Sequence, residues 1–321
     1  MQAHNDNEKT SRHHLALWAA MAVTLLSLPW FFVAINFGSN AVAWGKTMDA
    51  FHFVFFALFA WWLLRYFRYL RTKKPALTAG LTVFVVISLV EIIQPLFGRS
   101  GSITDLASGA VGGLSMLLVC SLWQKKTSGL RNISLLALVL ISFSVTAYGA
   151  VEEWYAVYWR DQNMPLLGSF ETSTEMRLWH AAGYADGGAS KILPVTKHAT
   201  DQKHSLRVIT QPGSWSGAWY QAGGLDWSDY QYLTMTVYNP GHEFQLKVRI
   251  DDARPSPQYS SRINTSVTVK HGKNNIEVNL RDAATKVRQG DFDMTSIEKI
   301  VLFTSKKAPS LTFYLDDVRL K

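Results

Sequence analysis

Apolar residues dominate five stretches of the first 150 positions, Leu15–Asn36, Met48–Leu64, Ala76–Phe97, Asp105–Trp123 and Ile133–Ala150, and then give way to short alternating segments. Each stretch is 17–22 residues long, the length an α-helix needs to cross a hydrocarbon core of ~30 Å. The pattern predicts about five transmembrane helices. The first is followed by four more and has no small-residue cleavage site, so it reads as an anchor rather than a removed signal peptide.

After residue 165 the period shortens to two. Candidate strands are Ser205–Gln211, Trp215–Gln221, Tyr232–Asn239, Phe244–Asp251, Ile263–Lys270, Asn275–Leu280, Ile297–Thr304 and Leu311–Leu320. Leu233-Thr-Met-Thr-Val-Tyr alternates as a half-buried strand must. Asn239-Pro240-Gly241 and His271-Gly272-Lys273-Asn274 are turn sequences between strands. Eight strands with few helical patterns predict an all-β jelly-roll sandwich. The expected organisation is a multi-domain membrane protein: a cytoplasmic tail (1–14), a helical membrane domain (15–150), an interfacial connector (151–165) and an extracytoplasmic sandwich (166–321).

Charge gives the orientation. Residues 1–150 carry 12 Lys/Arg against 5 Asp/Glu, and ten of the 12 fall in the N-terminal tail or on the connections after spans two and four. Lys46 and Arg99 lie on the opposite connections. The positive-inside rule puts the N-terminus in the cytoplasm and, after an odd number of spans, the C-terminal half outside. The net charge of +8 is therefore a topology signal, with +7 from the first 150 residues and +1 from the rest. That removes the usual reason to expect a nucleic-acid partner. The mean hydropathy of +0.03 averages two unlike halves. Cys120, the single cysteine, lies in span four, so the outer domain is expected to hold without a disulfide.

Polar residues within the spans are the candidate chemistry of the first half. Glu91 and Gln94 share a helix face, and Asp49 and His52 begin span two from the same side. Arg99 lies in the short loop before Asp105. A carboxylate in hydrocarbon costs roughly 2.5–3.5 kcal/mol, so Glu91 should be paired, protonated or hydrated. His52, Glu91, Gln94, Arg99 and Asp105 are expected to form one polar cluster in the outer half of the membrane, either a structural knot or a site. Gly109 and Gly113 form a GxxxG pair, read as a close helix contact within the chain.

In the second half, Trp215 and Trp219 are four apart in a predicted strand and should project from one face. Stacking rings with nearby hydrogen-bonding groups suit a pyranose. Arg249, Asp251, Tyr259 and Arg262 cluster at a strand end and its loop and complete the candidate sugar site. Glu171 and Asp316 would approach if the first and last strands pair, making them candidates for a structural calcium. No other cofactor is expected: the chain shows no phosphate loop, metal-ligand cluster or nucleophile elbow.

Two resemblances sharpen this reading. His52-Phe53, Glu91-x-x-Gln94, and Arg99 with Asp105 six residues on and Gly112 beyond, are similar to the VanZ-like membrane proteins over about residues 40–125. Met48-Asp49 stands where an Asp-Lys pair often precedes the histidine, and Gly109 where an Asn is usual. The resemblance implies a cell-envelope role and supplies no reaction. Phe170-Glu171, Asp226-Trp227-Ser228-x-Tyr230, Gly272-x-Asn274 and the closing Phe313–Leu320 resemble carbohydrate-binding-module-like, galactose-binding-like sandwiches over about residues 166–321.

The expected function is that of an accessory protein of the bacterial inner membrane. It would recognise a glycan or lipid-linked glycan at the outer leaflet in exopolysaccharide or envelope biogenesis, with membrane lipid and other biogenesis proteins as partners. Two alternatives stand beside it: an enzyme acting on a polyprenyl-phosphate or lipid headgroup with Glu91 and His52 as acid and base, and a small proton-coupled transporter.

Overall fold

A computed structural model describes residues 21–22, 26, 39–97, 102–123, 129–183, 188–254 and 258–321. The chain divides into two compact units, one built on Trp44–Val151 and the other on Glu152–Lys321 with the residues just before Trp44.

Among the described residues the first unit is built on four long helices: α1 (Ala41–Tyr69), α2 (Pro75–Ile93), α3 (Ile103–Trp123) and α4 (Gly129–Asn163), the last ending in the second unit. Among the described residues these four are long and apolar enough to cross a membrane. They coincide with four of the five apolar stretches, and the first, Leu15–Asn36, lies largely outside the described residues. Pro75 opens α2, where its missing N–H is harmless. Pro95 ends the α-helical hydrogen bonding, and the chain tightens into a 3-10 turn over Gln94–Phe97. Hydroxyls inside the helices return to their own backbone: Thr82 donates to the Thr78 carbonyl at 2.9 Å and Ser142 to the Leu138 carbonyl at 2.9 Å.

The helical core consists of Phe55, Phe56, Phe59, Leu63 and Leu64 of α1, Val83, Ile87 and Val90 of α2, and Leu117 of α3. Two glycines of α3 set its approach to α1. A Cβ on Gly109 would lie 2.7 Å from the Phe56 ring, and one on Gly112 would lie 2.2 Å from the Phe53 carbonyl oxygen. The small face thus packs helices of the same chain. Large apolar side chains point away from this core, among them Leu77, Leu81, Phe84, Leu89 and Ile92 of α2.

The second unit is a β-sandwich, with eleven strands among the described residues. They are β1 (Leu166–Gly168), β2 (Trp179–Ala182), β3 (Lys191–Val195), β4 (Ser205–Ile209), β5 (Gly217–Leu225), β6 (Tyr232–Asn239), β7 (Phe244–Asp252), β8 (Ile263–Val269), β9 (Gly272–Asn279), β10 (Ile297–Phe303) and β11 (Thr312–Leu320). One sheet runs β3-β4-β11-β6-β9, with β1 also on β11, and the other runs β2-β5-β10-β7-β8. Every pairing is antiparallel. The core between the sheets includes Trp227, Tyr220, Phe170, Phe313 and Leu206.

Turn chemistry acts where the sequence placed it. The Asn239 side chain accepts the Gly241 N–H at 2.9 Å. Gly272 takes a φ of +87°, which glycine adopts without strain, while Asn274 bonds both ways with the Lys270 backbone. Residues 152–163, read as a connector, are helical and continue α4. Ala156 belongs to the sandwich core, and Arg177 pairs with Glu153 at 2.9 Å and with Glu152. The apolar run breaks at Glu152, but the helical hydrogen bonding does not.

Candidate functional site

The outward face of the second sheet carries the candidate sugar site. Residues whose neighbours in sequence fill the core must project to the other side, because strand side chains alternate. Tyr220, Val248, Ile250, Ile300 and Leu302 face inward. Cross-strand register then fixes three outward rungs. The first is Gln221, Lys299 and Asp251; the second is His180, Trp219, Val301, Arg249 and Asn264; the third is Ala182, Gly217, Phe303, Lys247 and Ser266.

Above the second and third rungs lies a groove of about 350 Å³, lined among others by Trp215, Arg249, Tyr259, Arg262, Val301 and Phe303. Trp215 does not lie in the strand with Trp219, because β5 begins at Gly217. It stands in the lead-in segment, 39% exposed, edge-on to Phe303 at 6.0 Å. Its neighbour Ser216 is fully buried: the hydroxyl accepts the Gln211 N–H at 2.7 Å, and the carbonyl accepts the Thr304 N–H at 3.0 Å. An indole held by so fixed a backbone is pre-organised for stacking.

Tyr259 opens a short 3-10 turn, Tyr259–Ser261, and is 72% exposed. The Asn264 amide pins that turn by donating to the Tyr259 and Arg262 carbonyls at 2.9 and 3.2 Å, and the Arg262 guanidinium lies over the Tyr259 ring at 5.5 Å. Arg249 is aimed by Asp251, which accepts Nε at 2.7 Å and Nη2 at 2.6 Å. Asp251 is only 1% exposed and also pairs with Lys299 at 3.4 Å, so it orients cations rather than meeting a ligand.

Trp219 is half-buried and stacks on His180 at 4.2 Å, one strand outside the groove. Burial pushes the His180 imidazole down to about 4, offset only in part by a hydrogen bond with Gln221. At the end of β7, burial raises the Asp252 carboxyl, but Arg254 and the Asp293 N–H outweigh it and hold the group below the usual carboxylate range.

In the helical unit, His52, Glu91 and Asp105 come together. The His52 Nε2 lies 4.0 Å from Glu91 Oε1 and 3.9 Å from Asp105 Oδ2. Nδ1 lies 2.7 Å from the Met48 carbonyl, which can only accept, so Nδ1 carries a proton. Glu91 Oε2 accepts the Ser102 N–H at 2.7 Å, and the Ser102 hydroxyl receives the Asp105 N–H at 3.4 Å. Gln94 is fully buried at the end of α2, whereas Asp49 turns to Lys46 at 3.1 Å. Arg99 lies outside the described residues. The imidazole and the two carboxylates each offer one atom within 4.8 Å of the others, a donor set able to hold a divalent cation.

Among solved structures, the chain is similar to a family 11 carbohydrate-binding module from Clostridium thermocellum, solved with a β-1,3-1,4-mixed-linked tetrasaccharide. The identity is 16% over 49% of this chain and 94% of that one, with a TM-score of 0.38. A CBM22-1 xylan-binding domain from Paenibacillus barcinonensis matches at 15% identity over 48% and 90% of the two chains, with a TM-score of 0.31. An exo-β-agarase matches at 17% identity over 49% of this chain and 24% of its own, with a TM-score of 0.36. No family model and no curated protein matches the chain.

Glu171 and Asp316, the sequence candidates for calcium, are each surrounded by donors. Glu171 accepts the Lys203 and His204 N–H groups at 2.7 and 2.6 Å and faces the His204 ring at 2.8 Å. Asp316 accepts the Thr200 and Asp201 N–H groups at 2.5 and 2.9 Å, and burial still raises its carboxyl above the ordinary range. Asp316 ties a loop to β11 and Glu171 joins two connecting segments, and a cation would have to compete with those N–H groups.

Sequence reasoning missed Lys247, Asn264, Ser266 and Phe303. Lys247 and Phe303 sit on the alternation of strands that were recognised. Which strands lie side by side is what the sequence does not state.

Proposed function

We propose that this chain is a membrane-anchored glycan-binding protein of the bacterial envelope, with the groove between Trp215 and Tyr259 as its binding site. The observation that carries the reading is the groove itself. Two exposed rings stand at its margin, and Arg249, Asn264 and Ser266 lie beside them as hydrogen-bonding groups. Rings stack on the apolar face of a pyranose while polar groups of this kind take its hydroxyls.

In this reading the helices, VanZ-like over about residues 40–125, lie in the inner membrane. Their apolar outer surfaces suit lipid, and the basic asymmetry puts the jelly-roll sandwich outside, where it meets a glycan or lipid-linked glycan during envelope or exopolysaccharide production. Alkaline phosphatase fused after Lys321 should be active and a cytoplasm-only fluorescent protein dark, and the reverse result overturns the orientation.

The binding test is a titration of the full chain in nanodiscs with a panel of oligosaccharides, followed by tryptophan fluorescence. Trp215→Ala should weaken binding roughly ten-fold or more, since a central aromatic contact is typically worth that much. Unchanged affinity removes the groove as the site. The approach of His52, Glu91 and Asp105 favours the enzyme reading as the alternative. There Glu91→Gln abolishes turnover of a polyprenyl-phosphate while glycan binding persists.

A further inference from the structure

The outward face of the second sheet has an uneven charge that neutral-sugar recognition does not require. Its three rungs carry Lys247, Arg249 and Lys299 against a single acid, Asp251. Asp251 is buried and already engaged by Arg249 and Lys299. The groove wall adds Arg262, and among the described residues its lining holds no carboxylate. His180, the remaining titratable group on the face, is kept neutral near physiological pH by its burial.

We propose that the groove selects an acidic glycan, one bearing uronate carboxylates. This rests on the glycan-binding reading of the same groove and names its substrate class. Lys247 and Arg249 are two residues apart on β7, hence ~7 Å apart along the strand. They present cationic groups beneath rings that can stack on the sugar. Asp251 engages Nε and Nη2 of Arg249, which fixes the guanidinium and leaves Nη1 directed elsewhere. A pre-oriented guanidinium loses little entropy when it takes a carboxylate. An uncharged chain would instead cover Lys247 without bringing it a counter-charge, so the face also discriminates against it.

A matched pair of probes isolates charge from shape: an oligogalacturonate and its fully methyl-esterified form, which share a backbone. The full chain in zwitterionic nanodiscs, checked for a single size-exclusion peak, is titrated with each. The acid should bind roughly ten-fold tighter or better, as charge-assisted hydrogen bonds predict, and the difference should shrink in 0.5 M salt. Lys247→Gln should reduce acid affinity by about five-fold or more and ester affinity by clearly less, with Lys247→Arg restoring most of the loss. Equal binding of the two probes, or tighter binding of the ester, overturns the inference and leaves the glycan reading standing. Binding of a neutral oligosaccharide from the panel by a chain that takes neither probe does the same. A well-folded chain that binds no glycan at all overturns both.

Discussion

In the sandwich, alternation along each strand sends Leu206, Val248, Ile300 and Phe313 into a shared core and leaves polar residues at the surface. In the helical unit a core exists as well, but α2 shows Leu81, Phe84, Val85 and Leu89 outward, with Leu81 59% exposed. Both units bury apolar groups, and among the described residues the helical one also turns many large apolar side chains outward. The difference shows in polar satisfaction too. Helical hydroxyls bond within their own helices, while sandwich side chains such as Asp316 and Asn274 bond to loops distant in sequence or to turn backbone. A unit that meets its hydrogen-bonding needs internally and offers apolar side chains outside is adapted to a solvent that cannot hydrogen-bond. That property supports the bilayer setting proposed above.

If the two units are stabilised by different means, substitutions should damage them selectively. The largest expected effect is at Gly112, where any side chain meets the Phe53 carbonyl oxygen. Backbone cannot yield as a flexible side chain can, so Gly112→Leu should prevent α1 and α3 from docking and abolish the monodisperse peak in detergent. A protein that keeps its peak and its melting temperature would show that the contact is not needed.

The sandwich counterpart is Trp227, fully buried in the core between the sheets. Trp227→Ala should cost about 3–5 kcal/mol of sandwich stability, measured as an earlier loss of the β-type circular dichroism signal on heating. Protease resistance of the helices should be unchanged. Simultaneous melting of both units would dissolve the comparison.

A smaller effect separates the two surfaces. Leu81→Arg should lower the membrane-inserted yield, because an arginine within a span costs about 2.5–3.5 kcal/mol on insertion scales. Glu277→Arg, at an exposed position of β9, should stay within about 0.5 kcal/mol. Equal tolerance at the two positions would mean that the apolar coat of α2 does not face lipid.

How much was legible follows the same division. Helices announce themselves locally, so four apolar stretches became helices with only their ends displaced. Long alternating strands were equally plain, and Tyr232–Asn239 has the boundaries its pattern predicts. The three strands that escaped notice, Leu166–Gly168, Trp179–Ala182 and Lys191–Val195, have three to five residues each. That is too short to display a period, and one carries Pro194, which suits an edge strand. Trp215 and Trp219 were assigned to one strand because a hydrophobic pattern does not mark where β5 starts. The site proved hardest to read. His52 and Asp105 are far apart in sequence, as are Arg249 and Val301, and only packing or register brings them together. Individual residues such as Arg249 and Tyr259 could be picked by type, but the absence of a usable carboxylate beside them could not be.

The smallest effect concerns His180, which belongs to the sandwich face and has no counterpart among the exposed side chains of α2. Its imidazole is held down to about 4 by burial, below the ordinary 6.5. The unfolded chain therefore binds a proton more readily than the folded one between those values. A group of this kind leaves stability intact above pH 6.5 and removes it as pH falls toward 4. Integrated from pH 7 to pH 5, the loss should be about 2 kcal/mol or less, given the one-unit equivalence of 1.36 kcal/mol. Buried carboxyls such as Glu175 and Asp316, whose folded values are raised, work in the opposite direction over an overlapping window, so the raw pH profile mixes the two. The informative quantity is the difference between the wild type and His180→Gln, which keeps a polar group on Trp219 but cannot titrate. Chemical denaturation at pH 7 and pH 5, read by tryptophan fluorescence, should show the variant gaining relative to the wild type at the lower pH. Parallel pH dependence in the two proteins would mean that water or local opening reaches His180, and that this half-buried corner of the sandwich face is less dry than its stacking on Trp219 implies.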